Sequence, residues 1–395
     1  MSWAAAAAVL AGGLLLSWTL VFLGLALGLL SFLLWLDRRY ALERVTYTRS
    51  FSQRVVPWGS DVEVVAEIHN RKLLPVLSLE VRDLWPSAVT PLDVELAPNY
   101  RPRTETLRLG IALGWYESVR RRMHVRCSQR GLFAFGPVEL QAVDLLGVES
   151  VLREDPGRHR LTVHPRVLPV TGLGRFVTRL AIERPADASL IRDPAALAGT
   201  RGYQAGDPLR DINWRATARS GSLSVNVWEP TQAAEAKILL DLRTYWRVWD
   251  GIDPELLELL CVVAGSLADA LNRRGFAVGL ASNALALGSR DAVNLIPQCG
   301  ATGPILDALA AVVPSSPYQF SATLSDHLAV AGPEAHIVIT PARTPGLGAL
   351  IAELHQRSPT LVIAVGEADT LERHLVDAVV PRTFDWRTSE SLAVG

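Results

Sequence analysis

The residues best equipped for chemistry crowd into one stretch, Gly199 to Glu229, which reads GTRGYQAGDPLRDINWRATARSGSLSVNVWE. Arg201, Arg210, Arg215 and Arg219 share it with Asp207, Asp211, Tyr203 and Trp214. Guanidinium groups present planar forks of donors that suit carboxylates and phosphates. Two readings fit: an arginine-rich surface for docking or ligand binding, and an ion-pair network that clamps two domains together. The sequence leaves both open. A phosphate at the helix start of this stretch is disfavoured, because Asp207 would occupy the anion's position.

Elsewhere the chemistry is thinner. Cys127, Cys261 and Cys299 lie far apart, without metal spacing and in apolar surroundings. They read as buried free thiols in a reducing compartment. The eight histidines are scattered, with His159 and His164 the nearest pair, and no His-Glu-x-x-His occurs. No zinc site, and no cofactor, is expected. The chain has no Gly-x-Ser-x-Gly elbow, Walker A loop, dinucleotide fingerprint or catalytic-cysteine motif. No catalytic residue is assigned, and a non-enzymatic protein is the expectation.

Local structure must position the arginine-rich stretch. Asp207 caps free amides and Pro208 suits a first helical position, so a helix is predicted to begin there. Leu209, Ile212 and Ala216 recur at helical spacing, and Asp211, Arg215 and Arg219 line another side, four apart. Gly221 is the predicted stop. Ser222 to Glu229 then alternates as a strand, with Leu223, Val225 and Val227 on one side.

The whole chain of 395 residues is long enough for two or three domains. Its net charge of -1 supplies no global field for nucleic acid. Hydrophobic residues make up 49% and charged residues 20%, which excludes a disordered chain and points to a membrane part. That part is Trp3 to Leu36, which carries no charge. About 20 apolar residues span a bilayer, so this run forms either one long tilted helix or a tight hairpin of two spans. It is too long, and lacks the basic n-region, for a cleaved signal peptide. Arg38, Arg39, Arg44, Arg49 and Arg54 follow it and none precedes it. The positive-inside rule then places the remainder in the cytoplasm.

From about Glu43 to Pro165 the pattern is period two. Val62, Val64, Ala66 and Ile68 form one set; Leu77, Leu79 and Val81 a second; Leu92, Val94 and Leu96 a third; then come Leu107, Leu109 and Ile111, followed by Met123, Val125 and Cys127, and Val138, Leu140 and Ala142. Turn residues separate the sets, and an immunoglobulin-like β-sandwich is predicted. The Arg120-Arg121-Arg122 run reads as a solvated strand, since neighbours on a strand point to opposite faces. Val167 to Ala198 reads as an irregular connector. From Ala236 strands and helices alternate, including a helix from Pro254 to Arg274 capped by Asp253, which implies a parallel sheet wrapped on both faces.

The signature Gly-x-x-x-x-Gly-Asp-Pro-Leu-Arg-x-Ile-x-Trp-x-x-x-Ala-Arg, carried by Tyr203, Gly206, Asp207, Pro208, Arg210, Ile212, Trp214, Ala218 and Arg219, resembles that of the bacterial "domain of unknown function 58" family. Ile68-His69-Asn70 with Leu74-Pro75, Arg130-Gly131-Leu132-Phe133 and Asp144-Leu145-Leu146-Gly147 resemble further landmarks of the family. The resemblance implies a membrane-anchored protein with a von Willebrand factor A-like domain, two close membrane spans and a MoxR-type AAA+ ATPase as partner. Domains of that type often hold a divalent metal through Asp-x-Ser-x-Ser. Here Asp241 is followed by Arg243 and Tyr245 in place of both hydroxyls, so Asp241 reads as a degenerate remnant without metal.

The expected architecture is therefore multidomain: a transmembrane segment over 1–40, a β-sandwich over 41–165, a connector with the signature over 166–230 and an α/β domain of the von Willebrand factor A type, with a parallel sheet, over 231–395. The residues assigned to interaction or clamping are Gly202, Tyr203, Gly206, Asp207, Pro208, Arg210, Asp211, Trp214, Ala218 and Arg219. Function is expected to be that of a scaffold in the bilayer working with the ATPase in protein assembly or maturation. The alternatives are a metal-dependent receptor of the von Willebrand type and, third, a hydrolase.

Overall fold

The computed structural model describes residues 3, 18–143, 150–174, 177–178, 191–204, 212–231, 234–245, 247, 250–289, 291–300, 302–313, 318–330, 334–344, 346–366 and 371–394. The chain divides into two compact units, Met1–His164 and Pro165–Gly395. The 166–230 stretch, read from sequence as a separate connector, is thus part of the second unit. The Arg166 guanidinium donates to the carbonyls of Trp386, Arg387 and Ser389, and the amide of Leu168 donates to Ser266 Oγ over 2.9 Å. Those bonds tie the supposed connector into its own domain.

The first unit opens with helix α1 (Trp18–Tyr40). Among the described residues one helix, Val21–Tyr40, is long and apolar enough to cross a membrane. Phe22, Leu25, Leu29, Leu33 and Trp35 are all exposed on it. Exposed apolar groups around a helix suit a hydrocarbon solvent rather than water. The strands that follow are β1 (Val45–Phe51), β2 (Val55–Val56), β3 (Asp61–Asn70), β4 (Val76–Pro86), β5 (Val89–Pro91), β6 (Ala97–Pro98), β7 (Thr104–Leu113), β8 (Ser118–Cys127), β9 (Gly131–Phe135), β10 (Val138–Val143), β11 (Ser150–Asp155) and β12 (His159–Val163). They form sheets of order β1-β3-β8-β5, β11-β10-β4-β7-β6 and β2-β12-β9.

Alternation decides which side chains enter the core. Val62, Val64, Ala66 and Ile68 of β3 meet Met123, Val125 and Cys127 of β8, and with Val81, Trp85, Leu107, Leu140 and Ala142 they make one buried cluster. The outer face of the β3–β8 pair carries opposite charges: Arg126 lies on Asp61, Arg122 near Glu63 and Arg120 on Glu67. The arginine run is thus a laced, solvated face. Two strand expectations shift. On β4 Val76 is buried and Leu77 exposed, because an irregularity between Val76 and Leu79 displaces the register. Leu92 to Leu96 is not a strand; Leu92 is exposed, while Val94 and Leu96 pack against the core from a loop.

This core also buries a charge pair. Arg49 Nη1 reaches both oxygens of Asp83, which also accept from Tyr47 Oη (2.8 Å) and Trp85 Nε1 (2.9 Å). Burial pushes the Tyr47 hydroxyl well above its ordinary range. The guanidinium stacks near the Phe135 ring, 5.0 Å from its centroid. A pair so enclosed needs each of these donors, since an unmatched buried charge is costly.

The second unit contains β13 (Val170–Thr171), β14 (Ile191–Gly202), α2 (Trp214–Ser220), β15 (Ser224–Thr231), β16 (Glu235–Leu240), α3 (Pro254–Asn272), β17 (Ala277–Leu285), β18 (Ala292–Cys299), α4 (Gly303–Ala311), α5 (Phe320–Val330), β19 (Ala335–Thr340), α6 (Leu347–Arg357), β20 (Thr360–Val365), β21 (Ala378–Val380) and β22 (Leu392–Ala393). Its main sheet has the order β18-β17-β16-β19-β20-β21. Every pairing is parallel except β17 with β18. Its inner strands are buried at every position of β16 from Ala236, of β19 and of β20, as expected of a sheet covered on both faces. Leu239, Ala281, Val338 and Val362 pack against α5 and α6, and α3 packs on the strands as well. The Asp253 carboxylate caps α3 by accepting from Leu256, and Gly275 (φ +84°) follows its end. Strand β14 begins inside the stretch read as irregular, runs on to Gly202 and pairs antiparallel with β15. Strands β18 and β21 and helix α5 are additional to the sequence reading.

Candidate functional site

In the main sheet the chain leaves β16 toward β17 and β18, then returns to place β19 on the other side of β16. The gap between β16 and β19 is therefore the topological switch point, where open α/β sheets generally place ligands at the C-terminal strand ends. Asp241 directly follows β16 there and is fully buried. Oδ1 accepts from Asn283 Nδ2 (3.0 Å) and the Arg243 amide (3.0 Å). Oδ2 accepts from Thr340 Oγ1 (3.0 Å) and Thr344 Oγ1 (2.9 Å). A carboxylate offers about four lone-pair directions, and protein donors fill all of them. Burial raises the pKa of Asp241, while these donors oppose the rise. Arg243 turns away to the carbonyl and ring of Tyr245. Thr244 Oγ1 accepts from the Asp253 amide, tying the knot to the start of α3.

The signature stretch is partly described. Gly206, Asp207, Pro208, Arg210 and Asp211 lie outside the described residues. The described helix is α2: Asn213 is its cap, with its side chain accepting from Ala216 N, and it ends at Gly221 (φ 71°). It starts at Trp214, with Asn213 a good cap by residue type; the start expected at Asp207-Pro208 lies outside the described residues. Ile212 pairs with Val225 and is buried, and Tyr203 N donates to Leu223 O over 2.8 Å. Trp214, by contrast, is 69% exposed, and Arg215, Ala218, Arg219 and Gly202 are exposed as well. Tyr203 is half-buried.

Folding also gathers histidines that the sequence scatters. His327 on α5, Glu334 and His336 at the start of β19 place one ligand atom each within 4.8 Å of one another. His327 Nε2 lies 3.4 Å, and His336 Nε2 3.6 Å, from Glu334 Oε1. His336 is wholly buried and its Nδ1 is 2.6 Å from Ser358 Oγ. Burial drives the His327 pKa down to about 4, so its ring is neutral at neutral pH. A cavity of about 650 Å3 opens beside His327 and Glu334, with Lys237, Asn294, Tyr318 and Asp326 on its wall. The available sequence signal was Glu334-x-His336, two residues that share a face of an extended chain. Of the thiols, Cys127 and Cys261 are buried as expected, but Cys299, at the end of the edge strand β18, is exposed.

Fold and site define a protein with an apolar N-terminal helix, a β-rich first unit and a second unit built on a largely parallel sheet with a closed polar knot at its switch point. Residues 199–339 match the model of a family described as "Protein of unknown function DUF58". No curated protein matches the chain. Similar solved structures include the CARDB domain of a Pyrococcus furiosus protein in complex with di-metal ions, 16% identical, with 31% of this chain and 94% of that one covered and a TM-score of 0.21. A cohesin module from a Clostridium perfringens family 33 glycoside hydrolase is 13% identical over 30% of this chain and 96% of its own, with a TM-score of 0.22. A non-cellulosomal cohesin from Archaeoglobus fulgidus is 14% identical over 34% and 97%, with a TM-score of 0.21.

Proposed function

We propose that this chain is a membrane-anchored, non-enzymatic interaction protein. Its soluble units face the cytoplasm, the first an immunoglobulin-like sandwich and the second of the von Willebrand factor A type. It works with a MoxR-type AAA+ ATPase in assembly or maturation of other proteins. The observation that carries this reading is the exposure of Trp214, and of Arg215 and Arg219 on the same short helix, within the region that matches the family model. An exposed tryptophan and two exposed arginines on one helix have the composition of an interface anchor. The apolar surface of α1 supports the anchor, and Arg38, Arg39, Arg44 and Arg54 after it support the cytoplasmic orientation.

A metal-dependent receptor would need Asp241 to give an oxygen to a cation, and both its oxygens already accept two hydrogen bonds each. The hydrolase reading gains no observation of its own.

The test is crosslinking in intact cells followed by purification of the full chain from detergent-solubilised membranes. Recovery of an AAA+ ATPase with the wild-type chain and its loss with a folded W214A variant is the expected result. Recovery of no ATPase with the wild type overturns the reading.

A further inference from the structure

We propose that His327 Nε2, His336 Nε2 and a Glu334 oxygen are three ligands of a tetrahedral zinc-class divalent cation, whose fourth position faces the neighbouring cavity. The distances carry this. Zinc bonds of about 2.0–2.1 Å at tetrahedral angles set neighbouring ligand atoms about 3.3 Å apart. The two nitrogen–oxygen distances here are 3.4 and 3.6 Å, too long for good hydrogen bonds and close to the edge of that tetrahedron.

The second, independent observation is that both nitrogens are buried polar atoms without a hydrogen-bond partner. The side chain of His336 is 0% exposed and that of His327 9%. Buried polar atoms are rarely left so. The distal nitrogen of His336 has an outer-shell partner, its Nδ1 lying 2.6 Å from Ser358 Oγ. Hydrogen bonding of the distal ring nitrogen by an outer-shell group is the usual way a ligand histidine is oriented.

Two histidines and a glutamate form a ligand set that zinc accepts with one open position. His327 and Glu334 line the cavity while His336 lies behind them, so the open position is on the cavity side, available to water or to an oxygen or nitrogen donor of a small ligand. Lys237 and Asp326 share that wall. The ammonium opposes a cation there and the carboxylate favours it.

The experiment takes the full chain in detergent, with Cys299→Ser to remove the exposed thiol, strips it with chelator and titrates it with zinc chloride alone, then with cobalt(II). The expected result is one zinc per chain and the visible spectrum of four-coordinate cobalt. Both are lost in H327Q and H336A. Ser358→Ala weakens zinc about 10–100-fold without abolishing it, and K237M tightens it. Should H336A fail to fold, H327Q and E334Q at the cavity wall carry the same comparison. Zinc retained unchanged by folded H327Q and E334Q, or no stoichiometric zinc in the parent, overturns the proposal.

Discussion

Asp83 accepts from Arg49, Tyr47 and Trp85 inside the first unit, and each donor is left without its partner if that carboxylate goes. D83L is therefore expected to cost about 3–5 kcal/mol, read by urea denaturation of the full chain in detergent, and R49M/D83L to recover part of it. No recovery in the double variant would show that the loss is one of packing. Thiol reactivity divides by burial: Cys299 reacts with a thiol reagent in the native protein. Cys127, whose thiol burial pushes up to about 11, reacts only after unfolding. Rapid native labelling of Cys127, mapped by mass spectrometry, would contradict the buried placement. His327 gives a pH dependence. The unfolded chain takes up a proton at about pH 6.5, the folded one only at about 4. Between these values the unfolded state holds more protons, so stability falls as the pH drops through this window and is restored above it. In metal-free protein H327Q should flatten that part of the curve of unfolding free energy against pH.

Short elements with little core of their own depend on single backbone positions. Gly172 follows β13 with φ +88°, and a Cβ there would lie 2.0 Å from Val394 O. G172A is thus expected to push out the C-terminal β22 strand and lower the melting temperature of the second unit, whereas G174A, where a Cβ meets open space, should not. Helix α2 behaves differently. Its first residue, Trp214, is exposed, so W214A should change stability by no more than about 0.5 kcal/mol while removing partner binding. A W214A chain that unfolds would assign the signature to clamping. Much of this scale was legible in advance: Asp253-Pro254 starts α3 and Gly221 ends α2, since caps and stops depend on residue type alone. Strand β18 was not legible, because Val293, Leu295 and Pro297 give weak alternation and the strand is held by its pairing with β17. Helix α5 was missed for a like reason: among its described side chains, Phe320, Leu324 and Leu328 are the ones in the core cluster.

For the whole molecule, the open question raised by the sequence is which side of a bilayer holds the two units. Arg49 contributes nothing to that bias as a free charge, being buried against Asp83; Arg38, Arg39, Arg44 and Arg54 remain after α1. Protease added to intact spheroplasts is expected to leave the chain uncut, and digestion of the soluble units would reverse the orientation. Magnesium should leave the melting temperature unchanged, and a shift abolished by D241A would reopen the metal-dependent reading. Sequence alone determined what depends on near neighbours: the apolar leader, the period-two run of the first unit, the alternation of strands and helices in the second, and the signature. Tertiary structure decided what depends on distant residues meeting. It brought Asn283, Thr340 and Thr344 onto Asp241, closing the sheet's switch point, and it set His327 and His336 on either side of Glu334. Periodicity fixes which face a side chain occupies, but only packing fixes which other face it will touch.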